Sequence, residues 1–373
     1  MRRVILFGAG GYTGRLTAEA MVRAGLAPVL AGRSGSAMQQ LVGDLAPLAP
    51  LDAAPTWAVA DAADPASLRA LVTSPDDVLV TTVGPFSLMG QPAIGATIAA
   101  GATYIDSTGE GPFIHDVFTR YHEQALATGA RLLTAFGYDY VPGNLAAELL
   151  LADLPTTTQR VEMGYFVTGK FGMSSGTKAS VAAMMTADRY EFHGGELRAT
   201  KSTPSVAEFT WADGTQRQAL AITGTEQFTL PPRHPHLIDV DVYLGWVGSS
   251  TKAVAAGGAV AGAIARTPVV GEKIESELQK RLAAKTGEGP DAEARAGSTS
   301  VALARAFDGV GTQVGQVEVH GPNGYDLTAE LLAWAAAMAA TGRIEGTGAL
   351  GPAQAFGLDA LIEGCALMGL RRV

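Results

Sequence analysis

The sequence predicts an α/β chain, with an N-terminal doubly wound parallel sheet followed by an α+β domain on a mixed or antiparallel sheet. Three observations predict it. Through residue 145, short strands apolar on both faces alternate with helical patterns, as a sheet covered by helices on both sides requires. After Tyr138 the strands lengthen and alternate in polarity, which suits a sheet with one open face. The chain has 373 residues, 47% hydrophobic and only 17% charged, enough apolar material for two cores.

Each element has its own signal. Strands are expected at Arg3–Phe7, Pro28–Ala31, Trp57–Val59, Val78–Thr82, Tyr104–Asp106 and Arg131–Thr134. Helices are expected between them at Gly14–Ala24, Met38–Leu45, Pro65–Val72, Gln91–Ala100 and Phe113–Thr128. In the second half, strands are expected at Val161–Val167, Thr200–Phe209, Gln227–Leu230 and Asp239–Val247, and helices at Ser180–Met185 and Lys252–Ala265. Residues 285–300, polar and Gly-rich, read as a mobile connection. Val301–Ala306 and Gln313–Val319 read as two strands joined by the turn "FDGVG", with buried Leu327–Ala340 and Gly357–Met368 as final helices. The expected divisions are 1–145 for a dinucleotide-binding domain, 146–325 for a substrate and dimerisation domain, and 326–373 for helices returning to the first domain.

Composition narrows the function classes. A net charge of −9 without a basic stripe argues against nucleic acid, which demands a positive surface to displace counterions. The single cysteine, Cys365, cannot form an internal disulfide, which fits a reducing cytoplasm. No leader or transmembrane segment is expected. The most apolar later run, Ala253–Ala265, is shorter than the roughly 20 residues that span a bilayer.

The stretch "VILFGAGGYTGR" (4–15) carries the first chemistry. Gly8, Gly11 and Gly14 form a variant of the glycine turn that joins a strand to a helix in dinucleotide-binding Rossmann sheets. Gly8 allows the tight turn, Gly11 a close backbone approach to a pyrophosphate, and Gly14 close packing of helix on sheet. Tyr12, Thr13 and Gly14 open the helix, whose free N–H groups face the phosphates. The second strand ends "LAGRS" without the carboxylate that holds an NAD ribose. Arg33 is positioned for a 2′-phosphate and Ser34 for a further hydroxyl, so the cofactor expected is NADP(H). Asp61 and Ala62 follow the third strand, near the adenine. Val83, Gly84, Pro85 and Phe86 follow the fourth, where the nicotinamide passes.

"GGYTGR", "LAGRS", "VGPFSLMGQP", "YIDSTGE", "GYDYVPGNL", "SSGTKAS" and "GALGPAQAFGLDALIEGCALMGL", in that order, resemble the saccharopine dehydrogenase-like oxidoreductases. That family includes the trans-acting enoyl reductases of actinobacterial lipid synthesis. The resemblance implies an NADP-dependent reductase acting on a C=C or C=N bond of a small or carrier-bound metabolite, with a homodimer through the second sheet. Leu88-Met89, Tyr138, Tyr140 and Gly143-Asn144 depart from the residues usual in the family.

Hydride transfer belongs to the nicotinamide, so the protein must position substrate and supply a proton. "TGEGPFIH" offers Glu110 and His115, and "GYDYVPGN" offers Tyr138, Asp139, Tyr140 and Asn144. The catalytic candidates are Tyr138, Asp139 and Ser175. Asp139 or a tyrosine would donate the proton or orient substrate, although Asp139 would equally serve as a helix or turn cap. Ser175, with Gly176 and Thr177, would begin a helix facing the nicotinamide. Gly172-x-Ser174-x-Gly176 spells a hydrolase elbow, but does not follow a strand of a parallel sheet. His234, His236, Asp239 and Asp241 could share a strand face as metal ligands, but read better as a solvated loop, and no metal is expected. Cationic anchors for a polycarboxylate substrate form no cluster in sequence. The same fold would also serve an NADP-binding redox sensor without turnover.

Overall fold

The computed structural model describes residues 2–50, 53–169, 172–184, 187–246 and 288–373. The expected helix Lys252–Ala265 lies outside the described residues, as do Met185, Val247 and the first residues of the 285–300 stretch.

The N-terminal part alternates β1 (Val4–Phe7), α1 (Tyr12–Arg23), β2 (Val29–Gly32), α2 (Gly35–Leu45), β3 (Thr56–Val59), α3 (Pro65–Leu71) and β4 (Val78–Thr81). It continues with α4 (Phe86–Met89), α5 (Gln91–Ala100), β5 (Thr103–Asp106), α6 (Gly111–Asp116), α7 (His122–Thr128) and β6 (Arg131–Leu133). The strands of this sheet are parallel, in the order β15-β6-β5-β4-β1-β2-β3, where β15 is Gly348–Ala349. The order reverses between β1 and β4, and the crevice at their carboxyl ends is where such sheets bind ligands. The α/β expectation with a Rossmann sheet therefore holds. The single helix expected at Phe113–Thr128 is instead α6 and α7 joined by a π-helical turn at Val117–Tyr121.

Next come α8 (Val141–Ala152), β7 (Thr158–Gly169), α9 (Ser175–Met184), β8 (Arg189–His193), β9 (Glu196–Thr200), β10 (Val206–Thr210), β11 (Gln216–Ile222), α10 (Glu226–Arg233) and β12 (Asp239–Leu244). After residue 287 follow α11 (Ala292–Ala296), β13 (Ser298–Asp308), β14 (Gln313–Gly321), α12 (Gly324–Ala340), β15, α13 (Pro352–Phe356), α14 (Leu358–Leu367) and β16 (Arg371–Arg372). The second sheet runs β10-β11-β12-β7-β13-β14-β16, with β8 on β12 and β9 on β8. Among the described residues only its β12–β7 pairing is parallel, so the sheet is mixed, as expected.

Four local expectations are corrected. Gln227–Leu230 is not a strand. It lies in α10, held to α8 by a buried chain in which Asn144 Nδ2 donates to Thr225 Oγ1 (2.9 Å) and Thr229 Oγ1 donates to Asn144 Oδ1 (2.6 Å). Thr200–Phe209 is two strands, because Pro204 lies between them and cannot donate to a ladder. The stretch before Val301 is irregular only at 288–291 in its described part. It holds α11, capped by Asp291 accepting from Ala294 N–H (2.8 Å), and the start of β13. Of the two helix starts expected after β7, Ser175 and Ser180, the helix takes Ser175.

The C-terminal segment ties both sheets. α12 packs on α1, β15 adds to the first sheet beside β6, and β16 pairs with β14 in the second. A shared core joins Ala18 and Met21 of α1, Leu145 and Leu150 of α8, Met163 and Tyr165 of β7, and Leu327 and Leu331 of α12. Among the described residues, no helix is long and apolar enough to cross a membrane.

Candidate active site

The turn after β1 fits a phosphate. Gly8 sits at φ +91°, and a Cβ there would lie 2.7 Å from Val83 Cγ2. A Cβ on Gly14 would lie 2.1 Å from the Gly8 carbonyl oxygen, so α1 can rest on the turn only with glycine there. Gly11 precedes α1 in an extended conformation and provides no side-chain cap, and the first turn has no acidic residue. Helix geometry leaves the N–H groups of Tyr12, Thr13 and Gly14 without an intrahelical acceptor. They are free for an anion, which the helix dipole favours.

At the end of β2, Arg33 is exposed and makes no ion pair among the described residues. Ser34 caps α2, its Oγ accepting from Ala37 N–H at 3.3 Å. Asp61 closes its own turn by accepting from Ala63 N–H (3.0 Å), beside buried Ala62. Val83 and Gly84 are half-buried at the end of β4, and the buried Pro85 and Phe86 follow.

Glu110, which the sequence offers as an acid, is a clamp. Its Oε1 accepts from Phe86 N–H (2.8 Å) and Ser180 Oγ–H (2.7 Å), and its Oε2 from Ser87 N–H (2.9 Å). One buried carboxylate thus fixes the loop after β4 and joins it to α9. Glu110→Ala leaves three donors unpaired. It should cost about 3 kcal/mol in urea unfolding, and Glu110→Gln, which keeps one accepting oxygen, roughly half as much.

A cleft is lined by Thr13, Ser107, Asp139, Thr177, Trp246 and Tyr325 among others. No lysine, arginine or histidine is among its described lining residues. Asp139 stands out there. Its Oδ1 is buried without a hydrogen-bond partner among the described residues, and desolvation pushes the carboxyl up to about 7. It caps no helix, since Tyr140 precedes α8 and no side chain caps that end. Tyr138 also lines the cleft, but its hydroxyl donates to the Phe166 carbonyl at 3.0 Å, and burial pushes it well above the usual phenol range. Its proton is therefore committed to the second sheet.

Ser175 opens α9, with its N–H on the Glu288 carbonyl (3.0 Å), but its neighbour Ser174 carries the side-chain bonds. Ser174 Oγ accepts from Thr177 N–H (3.1 Å), while Ser174 N–H donates to the Tyr325 hydroxyl (2.7 Å). Thr177 Oγ1 lies 2.8 Å from the same hydroxyl. Tyr325 meets Tyr12 edge to face, with centroids 5.1 Å apart. The Tyr12 hydroxyl bonds the Pro290 carbonyl and accepts from Arg295 (3.0 Å), which is paired with Asp326 (2.7 Å). The Tyr12 side chain thus bridges the turn after β1 to the second half of the chain.

The other candidates are spent elsewhere. Asn144 bonds Tyr140 O, Thr225 and Thr229. His115 stacks on Tyr190, with centroids 3.8 Å apart. His234 bonds Glu148 (3.1 Å), and Asp239 bonds His193 (2.6 Å). Sequence reasoning missed Tyr325, Arg295 and Ser180, whose roles depend on chain segments distant in sequence.

Comparison with known proteins fits this geometry. Apo saccharopine dehydrogenase (L-Glu forming) of Saccharomyces cerevisiae superposes with a TM-score of 0.60 over 100% of this chain and 99% of that one, at 12% identity. The chain has the saccharopine dehydrogenase fold. A Mycobacterium tuberculosis protein provisionally named a trans-acting enoyl reductase is 37% identical over 197 residues, 49% of this chain and 44% of that protein. A trans-acting enoyl reductase of Mycobacterium bovis is 39% identical over 144 residues, 38% of this chain and 34% of that one. The matched stretch spans less than half the length of these curated relatives. No family model matches the chain. The resemblance of its motifs to the saccharopine dehydrogenase-like proteins, the trans-acting enoyl reductases among them, is borne out.

Proposed function

We propose that this saccharopine dehydrogenase-like chain is an NADP-dependent reductase of a polarised C=C bond in an uncharged, carrier-bound acyl substrate, with Asp139 as proton donor. One observation carries this reading. The cleft lined by Thr13 of the first turn of α1 is also lined by a buried carboxyl whose Oδ1 is unpartnered among the described residues and which burial favours in its protonated form. A bound nicotinamide would supply the hydride. Asp139 would give its proton to the neighbouring substrate carbon and become a carboxylate, then recover a proton from solvent. The N–H groups of Tyr12, Thr13 and Gly14 would hold the pyrophosphate, and the Glu110 clamp would keep the loop from Val83 to Phe86 in place. The lack of a cation among the cleft's described lining residues supports an acyl substrate over a polycarboxylate amino acid, whose carboxylates would be buried unpaired there.

A panel of enoyl, imine and keto thioesters and free acids tests the proposal through the loss of NADPH absorbance. Turnover of the enoyl thioester is expected. Tight NADPH binding without turnover of any of them would favour a sensor instead.

Arg33 supports NADP over NAD. Arg33→Ala should weaken NADPH by about ten- to a hundredfold, the worth of one or two charge-assisted bonds, and NADH by less than about threefold. Fluorescence titration of both cofactors measures the difference, and equal losses would remove the 2′-phosphate assignment.

A further inference from the structure

A second buried carboxyl lies behind Asp139. Glu226, the first residue of α10, is fully buried, and its Oε1 is in short contact with the Tyr165 hydroxyl. That hydroxyl also reaches the Tyr140 carbonyl (3.0 Å) and accepts from Gly143 N–H (3.0 Å). A phenol has one proton. The Tyr140 carbonyl also accepts from Asn144 N–H (3.2 Å) and Nδ2 (2.9 Å), but if Glu226 were ionised, one of the two oxygen–oxygen contacts of the Tyr165 hydroxyl, to Glu226 Oε1 or to Tyr140 O, would hold no hydrogen. With a proton on Glu226 both of those contacts hold a hydrogen, and the buried Oε2, which has no hydrogen-bond partner among the described residues, carries no charge. Glu226 donates to Tyr165, Tyr165 donates to Tyr140 O, and Gly143 N–H fills the remaining lone pair.

We infer that Glu226 is a carboxylic acid at neutral pH and that, through Tyr165, it is the positioning residue fixing the Asp139–Tyr140 segment at the cleft.

The surroundings agree. The ionisable groups that act on Glu226 are Asp139 and Tyr165, and Tyr140 also lies within reach of its charge. Asn144, Thr225 and Thr229, between α8 and α10, are neutral and bonded to one another, and Val242 of β12 is apolar. No cation among the described residues answers Glu226. Burial and the Asp139 charge both push its carboxyl upward, to about 8. A neutral Glu226 also spares Asp139 a like charge at the moment it gives up its proton.

The proton on Glu226 is tested without turnover. Infrared spectra of the full chain near neutral pH should show a protonated-carboxyl band that persists in Asp139→Asn and disappears in Glu226→Gln. In wild-type protein carrying carboxyl-13C glutamate, that band should shift, which keeps the test valid if the Gln variant folds poorly. A 13C-insensitive band, or no band lost in Glu226→Gln, would overturn the inference.

The positioning role rests on Asp139 being the donor, so it has its own readout. Glu226→Gln can still donate to Tyr165 and should keep kcat within about threefold of wild type. Tyr165→Phe loses all three hydroxyl bonds and should lower kcat by about tenfold or more, with KM for NADPH unchanged. Equal losses in the two variants would overturn the positioning role while leaving the infrared result to stand by itself.

Discussion

Asp139→Asn should lower turnover by about a hundredfold or more, the usual worth of a positioned proton donor, while NADPH affinity stays at the wild-type value. The amide keeps the shape of the carboxyl and lacks its acidic proton, so kcat should carry the loss. Steady-state kinetics with cofactor titration separates the two quantities. The same variant should gain stability at alkaline pH. Burial raises this carboxyl to about 7 in the folded chain, above its unfolded value of about 4. The folded state therefore binds more protons between those values. Stability is full below about pH 4, falls as pH rises toward 7, and is flat beyond. Removing the group should recover on the order of 1 to 3 kcal/mol above neutrality, where ionised Asp139 has no partner among the described residues. Urea unfolding at acidic and alkaline pH should show wild type and variant converging at the acid end.

Gly14→Ala is expected to abolish dinucleotide binding and to cost about 3 kcal/mol or more. The new methyl would lie 2.1 Å from the Gly8 carbonyl oxygen, a backbone atom that no side-chain rotation can move aside. α1 must move off the turn, carrying with it the N–H groups that would face the phosphates. Gly43→Ala is the matched control. It lies in α2 with open space around its Cβ position, so it should stabilise the chain by about 0.5 to 1 kcal/mol. Thermal melts with and without NADPH report both effects. A Gly14→Ala protein that still binds cofactor normally would remove the turn from the site.

Much of the first sheet was legible because its rules are local. β1, the Gly8-to-Gly14 turn and α1 follow one another in sequence, and Arg33 lies one residue past a strand whose apolar run marks its end. The second half was harder to read. α8 is apolar nearly all round, so it shows no 3.6-residue stripe. Gln227–Leu230 is too short for its apolar pattern to separate strand from helix, and only contacts with Asn144 reveal α10. The candidate site divides along the same line. That Asp139 sits near the cleft follows from its place after β6. That it is unpartnered while the Tyr138 hydroxyl is occupied depends on Phe166, far along the chain. The same holds for Glu110, whose pattern suggested an acid and whose three donors make it a clamp.

Single-turnover oxidation of bound NADPH by an enoyl thioester, followed across pH in wild type and Asp139→Asn, tests the central claim most directly. The rate in wild type should fall with one ionisation near about pH 7, as Asp139 loses its proton. Asp139→Asn should be slow and flat over the same range. An Asn variant that reacts within about twofold of wild type, or that keeps the same alkaline fall, would contradict Asp139 as the proton donor.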